Sequence, residues 1–185
     1  MSLAKLIKPK SNKVLGIDAS TNSIAFCLMN EKIPVKWGEI HFEGEDVYKR
    51  ILDAKRKVKA FKKELNTDFV VIEAAISVKS VHTGIKMAYV FGAIMGELLS
   101  DNMEVVEVHP ITWQSYLGNK NFTKAEKLAV KNEFPGKSET WYKGKIRELR
   151  KAKTIRFANS IGVETESDNV ADAVGIAWYA VNEIV

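Results

Sequence analysis

Residues 13–20, KVLGIDAS, form a short apolar run that ends in an aspartate, an alanine and a serine. Such a run, closed by small and polar residues, is typical of a buried β-strand that enters a tight turn. Two further runs follow at hairpin spacing, SIAFCLMN at 23–30 and PVKWGEIHF at 34–42. The three runs together predict an antiparallel meander.

The chain then alternates between helix and strand patterns. Residues 47–66 carry apolar side chains at three- and four-residue intervals, which predicts an amphipathic helix with a basic outer face. Residues 68–75 and 103–110 are typical of buried strands, and the segment between them is apolar around most of a helical circumference. We therefore expect an α/β fold with a mixed five-stranded sheet, three antiparallel strands and then parallel ones, flanked by helices on both faces.

Length and composition indicate a single domain over residues 1–185, in which residues 1–12 form a flexible basic tail. No apolar run reaches the length of a membrane span, and the N-terminal segment lacks the apolar core of a secretory signal. The sequence therefore predicts a cytoplasmic protein with no membrane partner. One cysteine, Cys27, excludes an internal disulfide, and three scattered histidines argue against a structural zinc site.

Charge is distributed unevenly around a formal net charge of +5. Residues 120–156 hold twelve Lys or Arg against four Glu, and residues 49–63 hold eight against one Asp. Residues 161–185 hold five acids and no base. Solvated helix faces would explain either basic run. Two basic segments with an acidic one also fit a surface that binds a polyanion beside carboxylates that hold cations.

Four acidic side chains occur in otherwise apolar surroundings. Asp18 ends the first predicted strand, Glu73 lies inside a later one, and Asp168 and Asp172 lie four residues apart in the last predicted helix, where Asn169 shares their face. A single such acid can cap an element or pair with a lysine, but several together are costly unless they are compensated. Bound Mg²⁺ would compensate them, because hard cations prefer oxygen ligands.

Four ordered segments carry a family resemblance: GIDAST, VVIEAA with the following KSVHTGIKMAYVFGAIMGELL, VHPITWQSYLG and DNVADAVGIAWYA. They resemble the successive blocks of RuvC-type Holliday junction resolvases, in the RNase H-like superfamily. The resemblance implies a Mg²⁺-dependent, structure-selective endonuclease of a bacterial or phage-infected cell that cleaves Holliday junctions or other branched DNA, a crossover junction endodeoxyribonuclease. It also implies two Mg²⁺ per active site, replaceable by Mn²⁺, and a homodimer paired through the helix at 84–99.

The same resemblance implies that Asp18, Glu73 and Asp172 are catalytic metal ligands. In this family the fourth ligand often lies three residues before the terminal aspartate, a position that holds Asn169 here. Asp168, one position earlier, is the charged candidate, and both spacings place the side chain on the same helical face as Asp172. We therefore expect Asp168 to be the fourth catalytic ligand, with Asn169 as a possible metal ligand.

Lysines are the expected DNA contacts. Lys79 matches the basic position that the family has in the loop after Glu73, although an ordinary solvated lysine is the alternative. The position at which the family tends to carry an aromatic wedge holds Ile76 here. Lys120, Lys124 and Lys127 are expected to follow phosphates and to give salt-dependent affinity without reading bases.

Among the aromatic residues, we expect some to pack in the core and others to contact DNA. Trp113 is expected to pack a helix onto the sheet, whereas Trp141 and Tyr142, in the basic stretch, are candidates for stacking on bases.

Two other functions stay open at the level of sequence. One is a module that binds branched DNA without cutting it. The other is an actin-like phosphotransferase, which the GIDAST turn alone favours and which needs a second such domain and a second glycine-rich phosphate loop.

Overall fold

The computed structural model describes residues 13–67, 69–74, 80–99 and 103–185. Residues 1–12, Ile76 and Lys79 lie outside the described residues, so the expectations for them stay predictions. The described elements, in chain order, are β1 (Lys13–Ala19), β2 (Ser23–Asn30), β3 (Ile33–His41), α1 (Val47–Lys62), β4 (Phe69–Glu73), α2 (Val81–Leu98), β5 (Glu104–Val108), α3 (Pro110–Tyr116), α4 (Lys124–Glu133), α5 (Glu139–Ser160) and α6 (Asp168–Glu183).

The strands form one sheet in the order β3-β2-β1-β4-β5. β1 pairs antiparallel with β2, and β2 antiparallel with β3, whereas β4 pairs parallel with both β1 and β5. The predicted mixed five-stranded sheet is therefore confirmed. Its parallel half places the carboxyl ends of β1, β4 and β5 at one edge, where side chains from three strands can meet.

Helices cover both faces because side chains alternate along each strand. Leu15 and Ile17 of β1 join the core cluster that α1 and α2 complete. Val14, two residues from Gly16, faces the other side, where α3 and α6 pack. On that side β2 contributes Cys27, which is fully buried and whose thiol pKa burial raises to about 12.

Helix α6 approaches β1 unusually closely. A Cβ added at Gly16 would lie 2.5 Å from the carbonyl oxygen of Ala173 and 2.6 Å from the backbone nitrogen of Ala177. Ser167 starts the helix as its N-cap, accepting a hydrogen bond from the backbone N–H of Val170. The absence of a side chain at Gly16 is thus what lets the backbone of α6 rest on the sheet.

Helix α2 buries one face and exposes another. Val90, Ile94 and Leu98 are buried in the core cluster shared with α1. Its outer face exposes Val81, Ile85 and Tyr89, and an added Cβ at Gly92 or Gly96 would meet no atom within 4 Å. Among the described helices, none is both long enough and apolar enough to cross a membrane.

The polar stretch after α3 folds into two helices. Thr123 and Glu126 form a reciprocal capping box that starts α4. The chain then turns at Pro135 and Gly136, where Gly136 adopts a φ of 77°, before α5 begins. The result is a helical hairpin with lysines on both arms.

Candidate active site

Asp18 and Glu73 lie at the carboxyl ends of neighbouring parallel strands. Ile17 of β1 is paired with Ile72 of β4, so the two acids follow at the next position of each strand. Period-two alternation puts both side chains on the face that α6 covers, together with Gly16 of β1. Two carboxylates that are distant in sequence are thereby brought to one edge of the sheet.

Asp172 joins them from α6. It lies one residue before Ala173, whose backbone rests against Gly16 of β1. The charge of Glu73 raises the pKa of Asp18, and the charges of Asp18 and Glu73 raise the pKa of Asp172, so the three side chains lie near one another. The structure thus brings together the three acids that the sequence singled out on three different elements.

Burial shifts the pKa of each of these acids upward. Burial raises the pKa of Asp18 to about 7, with further contributions from Glu73 and Glu39 that Lys151 opposes. Burial also raises the pKa of Asp172 to about 7, and the charges of Asp18 and Glu73 add to it. The pKa of Glu73 is raised by burial as well. The site therefore holds more negative charge than its surroundings stabilise.

Trp113 of α3 fixes the carboxylate of Glu73. Its indole Nε1–H donates a 2.8 Å hydrogen bond to Oε2 of Glu73, and the ring is fully buried. Gly175 of α6 makes room for the ring, because an added Cβ there would lie 2.7 Å from it. The sequence predicted the packing of Trp113 but missed the hydrogen bond, although a buried indole N–H needs an acceptor.

Glu39 of β3 is an acid that the sequence analysis missed. Asp18 pairs with Ala25 and Ala25 with Glu39 across three neighbouring strands, so Glu39 and Asp18 share one row and one face. Burial would raise the pKa of Glu39, but hydrogen bonds from Ser23, Asn169 and Ser167 outweigh it and hold the pKa below its ordinary value. The meander register was the signal that could have found it.

Asp168 and Asn169 make different contacts at the start of α6. Asp168 forms a salt bridge with Lys151 of α5. Asn169 donates from Nδ2 to Oε1 of Glu39 at 2.8 Å. Both side chains therefore lie beside the acidic site, one facing a cation and the other a carboxylate, and the choice of fourth ligand stays a prediction.

Two basic residues of α5 border the acids. Lys151 lowers the pKa of Asp18 and of Asp172, and Arg150 lowers that of Asp172. Arg150 is held in place by donating to Oε1 of Gln114 at 2.5 Å. Neither residue was predicted as part of the site, because only the fold brings α5 beside α6.

The predicted DNA-binding lysines lie around the helical hairpin. Lys120 precedes α4 and lines a cleft with His109 and Arg150. Lys124 and Lys127 are exposed, one turn apart on α4. They line a groove between α4 and α5 whose other basic members are Lys131 and Lys143.

The two aromatic candidates for base stacking differ in exposure. Tyr142 is buried and its hydroxyl donates to the carbonyl of Phe134 at 2.6 Å, so the stacking expectation is wrong for this ring. Trp141 is 36 % exposed and packs at a centroid distance of 5.3 Å on the ring of Phe134.

The donor set fits a hard divalent cation by its chemistry. Asp18, Glu73 and Asp172 offer carboxylate oxygens, which Mg²⁺ prefers, and their mutual repulsion is a cost that a cation would relieve. As the side chains stand, no group of three or more His, Cys, Asp or Glu in the described ranges is arranged so that it could hold a metal ion. The carboxylates thus influence one another but do not converge on one point.

Comparison with known proteins identifies the architecture. No protein-family model matches the sequence, and no curated protein matches it. Among solved structures, the chain is similar to Thermus thermophilus RuvC in complex with Holliday junction substrate, with a TM-score of 0.64 and 13% identity over 93% of this chain and 96% of that one.

Two further solved structures have a similar architecture. Another structure of Thermus thermophilus RuvC gives a TM-score of 0.61 at 14% identity, covering 91% of this chain and 95% of that one. The yeast mitochondrial Holliday junction resolvase gives 0.54 at 14% identity, covering 95% of this chain and 80% of that one. At these identities the likeness concerns the fold. The protein thus has the RuvC-type, RNase H-like fold, as its sequence predicts.

Proposed function

We propose that the protein is a divalent-cation-dependent endonuclease that cleaves branched DNA, four-way junctions in particular, as a crossover junction endodeoxyribonuclease does. One observation carries this proposal. Asp18, Glu73 and Asp172, from β1, β4 and α6, lie near one another in a RuvC-type fold, where Glu73 raises the pKa of Asp18 and both raise the pKa of Asp172. Cation binding and phosphodiester hydrolysis would explain why the fold tolerates this repulsion.

The chain's own residues would hold the cation and orient the substrate. Asp18, Glu73 and Asp172, with Asp168 or Asn169 beside them, supply the oxygen ligands. Two Mg²⁺ held by these residues would supply Lewis-acid chemistry, activating a water and offsetting charge on the phosphate and the leaving 3′ oxygen, and Mn²⁺ is expected to substitute.

Neighbouring side chains prepare these ligands. The indole of Trp113 orients the Glu73 carboxylate through its hydrogen bond. Lys151, now paired with Asp168, is a cation that could turn to a phosphate once the carboxylates are neutralised.

DNA affinity would come from the basic hairpin rather than from the acids. Lys120, Lys124 and Lys127 lie beside or on α4, and the groove between α4 and α5 adds Lys131 and Lys143. Such contacts neutralise phosphates without reading sequence, so affinity should fall steeply with salt.

Two copies of the chain would pair through α2, as the sequence suggests for residues 84–99. The exposed apolar stripe of Val81, Ile85 and Tyr89 continues into Gly92 and Gly96, where the backbone is open to close approach. A two-fold pair would present two active sites to a junction that is itself two-fold symmetric.

A cleavage assay on a synthetic four-way junction tests the proposal, with linear duplex and flap DNA beside it and with Mg²⁺ or chelator. Asp18→Asn and Glu73→Gln should each abolish cleavage while junction binding survives, because the acids serve the chemistry and the lysines the affinity. Asp46→Asn and Glu104→Gln are matched controls. Asp46 caps α1, where Asn caps equally well, and Glu104 is exposed at the opposite end of the parallel strands.

The outcomes separate the candidate functions. Binding without cleavage by the parent protein in Mg²⁺ would identify a non-cleaving branched-DNA module. Junction-independent transfer of phosphate from ATP would identify an actin-like phosphotransferase. Loss of binding together with cleavage in folded Asp18→Asn would defeat the assignment of separate roles to acids and lysines.

The fourth ligand is decided by a second pair of variants. Asp168→Asn should lower the cleavage rate by orders of magnitude because it removes a charge, whereas Asn169→Ala should cost much less. The reverse order would assign the fourth position to Asn169.

A further inference from the structure

Glu39 lies at the acidic site but outside the set of predicted ligands. It occupies the same row of the sheet as Asp18, with Ala25 of β2 between them. All three side chains emerge on the face that α6 covers. Because the alanine side chain is small, no bulky side chain lies between the two carboxylates in that row.

Neutral donors surround the Glu39 carboxylate. Oε1 accepts from the hydroxyl of Ser23 at 2.7 Å and from Nδ2 of Asn169 at 2.8 Å, and Oε2 accepts from the hydroxyl of Ser167 at 3.2 Å. The exposed ring of His41 lies farther away, with Nε2 at 3.9 Å from Oε2. Hydrogen bonds thus hold the carboxylate in place while leaving its charge largely uncompensated.

Asn169 is the counterpart of Glu39 on α6. It lies three residues before Asp172, hence on the same helical face, and it is neutral. Its amide N–H₂ is engaged by Glu39, so a carboxylate at position 169 would stand directly against a second carboxylate. The pair is compatible because one member carries the charge and the other donates the hydrogen bond.

We propose that Glu39 is a positioning residue of the active site: it fixes Asn169 and adds a negative charge beside Asp18, and so strengthens the binding of divalent cations. This inference rests on the proposed function. The negative charge that α6 lacks at position 169 is, in this arrangement, supplied by strand β3.

Glu39→Gln isolates the charge from the hydrogen bonds. The amide oxygen can still accept from Ser23 and Asn169, and the amide nitrogen can donate to Ser167. Calorimetric titration of the DNA-free protein with Mn²⁺ should give an affinity about tenfold lower than that of the parent, the usual cost of losing a group that supports metal ligands. Glu104→Gln, the same change at the far end of the sheet, should leave the affinity unchanged.

The exchange Glu39→Gln with Asn169→Asp tests the pairing itself. It moves the charge to α6 and reverses the hydrogen bond, since the new amide can donate to the new carboxylate. Mn²⁺ affinity should return to that of the parent. Parent-like affinity in Glu39→Gln, or a double variant no better than Glu39→Gln, would overturn the inference.

Folding is followed in parallel by circular dichroism. If Glu39→Gln does not fold, Glu39→Asp decides: it keeps the charge, so parent-like affinity supports the inference and a tenfold loss overturns it. Failure of the proposed function looks different, because the parent itself would then bind no divalent cation or cut no junction. If the parent protein binds divalent cations and cuts junctions, and Glu39→Gln has the same Mn²⁺ affinity as the parent, only the proposed role of Glu39 is refuted.

Discussion

Asp18 and Asp172 take up protons more readily in the folded protein than in an unfolded chain. Burial and neighbouring carboxylates raise the pKa of both from the ordinary value of 3.8 to about 7. Between these two values the folded state binds more protons than the unfolded state. Without a cation, the free energy of unfolding therefore decreases as pH rises from about 4 to about 7, and the full penalty is present above that range.

Asp172→Asn should consequently raise the melting temperature of the chelator-treated protein by a few degrees at pH 8, and have little effect near pH 4. Thermal unfolding at the two pH values measures this. Asp46→Asn is the control, because hydrogen bonds hold the pKa of Asp46 below its ordinary value, so its charge stabilises the fold at pH 8 and its removal should not raise the melting temperature there. An equal gain at both pH values would contradict the buried charge of Asp172 as the cause.

Trp113→Phe should separate the packing of this side chain from its hydrogen bond. The phenyl ring keeps most of the apolar contacts of the buried indole, but the 2.8 Å bond to Glu73 is lost, and its loss raises the pKa of Glu73 further. We expect the cleavage rate to fall about tenfold and the acidic limb of the pH–rate profile to move to higher pH. Trp178→Phe, in a ring that packs edge-on against Phe157, should change neither; a slower rate of Trp113→Phe with an unmoved profile would indicate a packing effect only.

At the scale of elements, apolar runs and hydrophobic periodicity were sufficient to predict the five strands, α1, α2 and the last helix, but not α5. The run at 13–20 became β1, and the helix predicted at 47–66 ends at Lys62, where the chain turns toward β4. Asp18, Glu73 and Asp172 could be singled out because an acid in an apolar run is conspicuous in a linear sequence.

Other parts of the site depend on contacts that a single sequence does not encode in its spacing. Glu39 lies in a strand that alternates polar and apolar residues, so its charge is unremarkable until the register places it beside Asp18. Lys151 is one of many lysines in α5, and its role follows only from the packing of α5 against α6. Strand register and helix packing thus decide which otherwise unremarkable residues lie beside the acids of the site.

Gly16→Ala should disturb the contact between β1 and α6. The new methyl group would meet backbone atoms of α6 at 2.5–2.6 Å, which no side-chain rotation can relieve. We expect a loss of about 1–3 kcal/mol in the free energy of unfolding, measured by denaturant, and a large loss of cleavage as Asp172 moves. In Gly144→Ala, an added Cβ meets nothing within 4 Å, so stability should be unchanged or higher. Full cleavage by Gly16→Ala would show that the site tolerates displacement of α6.

At the scale of the whole molecule, opposite charges are sorted onto adjacent helices. Asp168 and Asp172 of α6 lie beside Lys151 and Arg150 of α5, whereas Lys124, Lys127, Lys131 and Lys143 of the hairpin line the groove between α4 and α5. A basic groove and a cluster of acids thus belong to neighbouring helices of one fold.

Ile85→Glu should dissociate the proposed dimer. Ile85 is 45% exposed on the outer face of α2, and the two-fold would bury the new carboxylate twice without a partner. Sedimentation should show the parent as a dimer at micromolar concentration and a dissociation constant about a hundredfold higher for the variant. Leu128→Glu, on the exposed face of α4, is the control. A monomeric parent, with and without DNA, would exclude pairing through α2.

Cys27 makes the protein convenient for spectroscopy. It is the one cysteine of the chain, lies fully buried in β2, and has a thiol whose raised pKa suppresses the reactive thiolate at neutral pH. A maleimide dye should therefore leave the native protein unlabelled. A cysteine introduced at Glu133, exposed at the end of α4, would carry the only dye on the protein, and energy transfer to a dye on one arm of a DNA junction would report the position of the hairpin on the substrate.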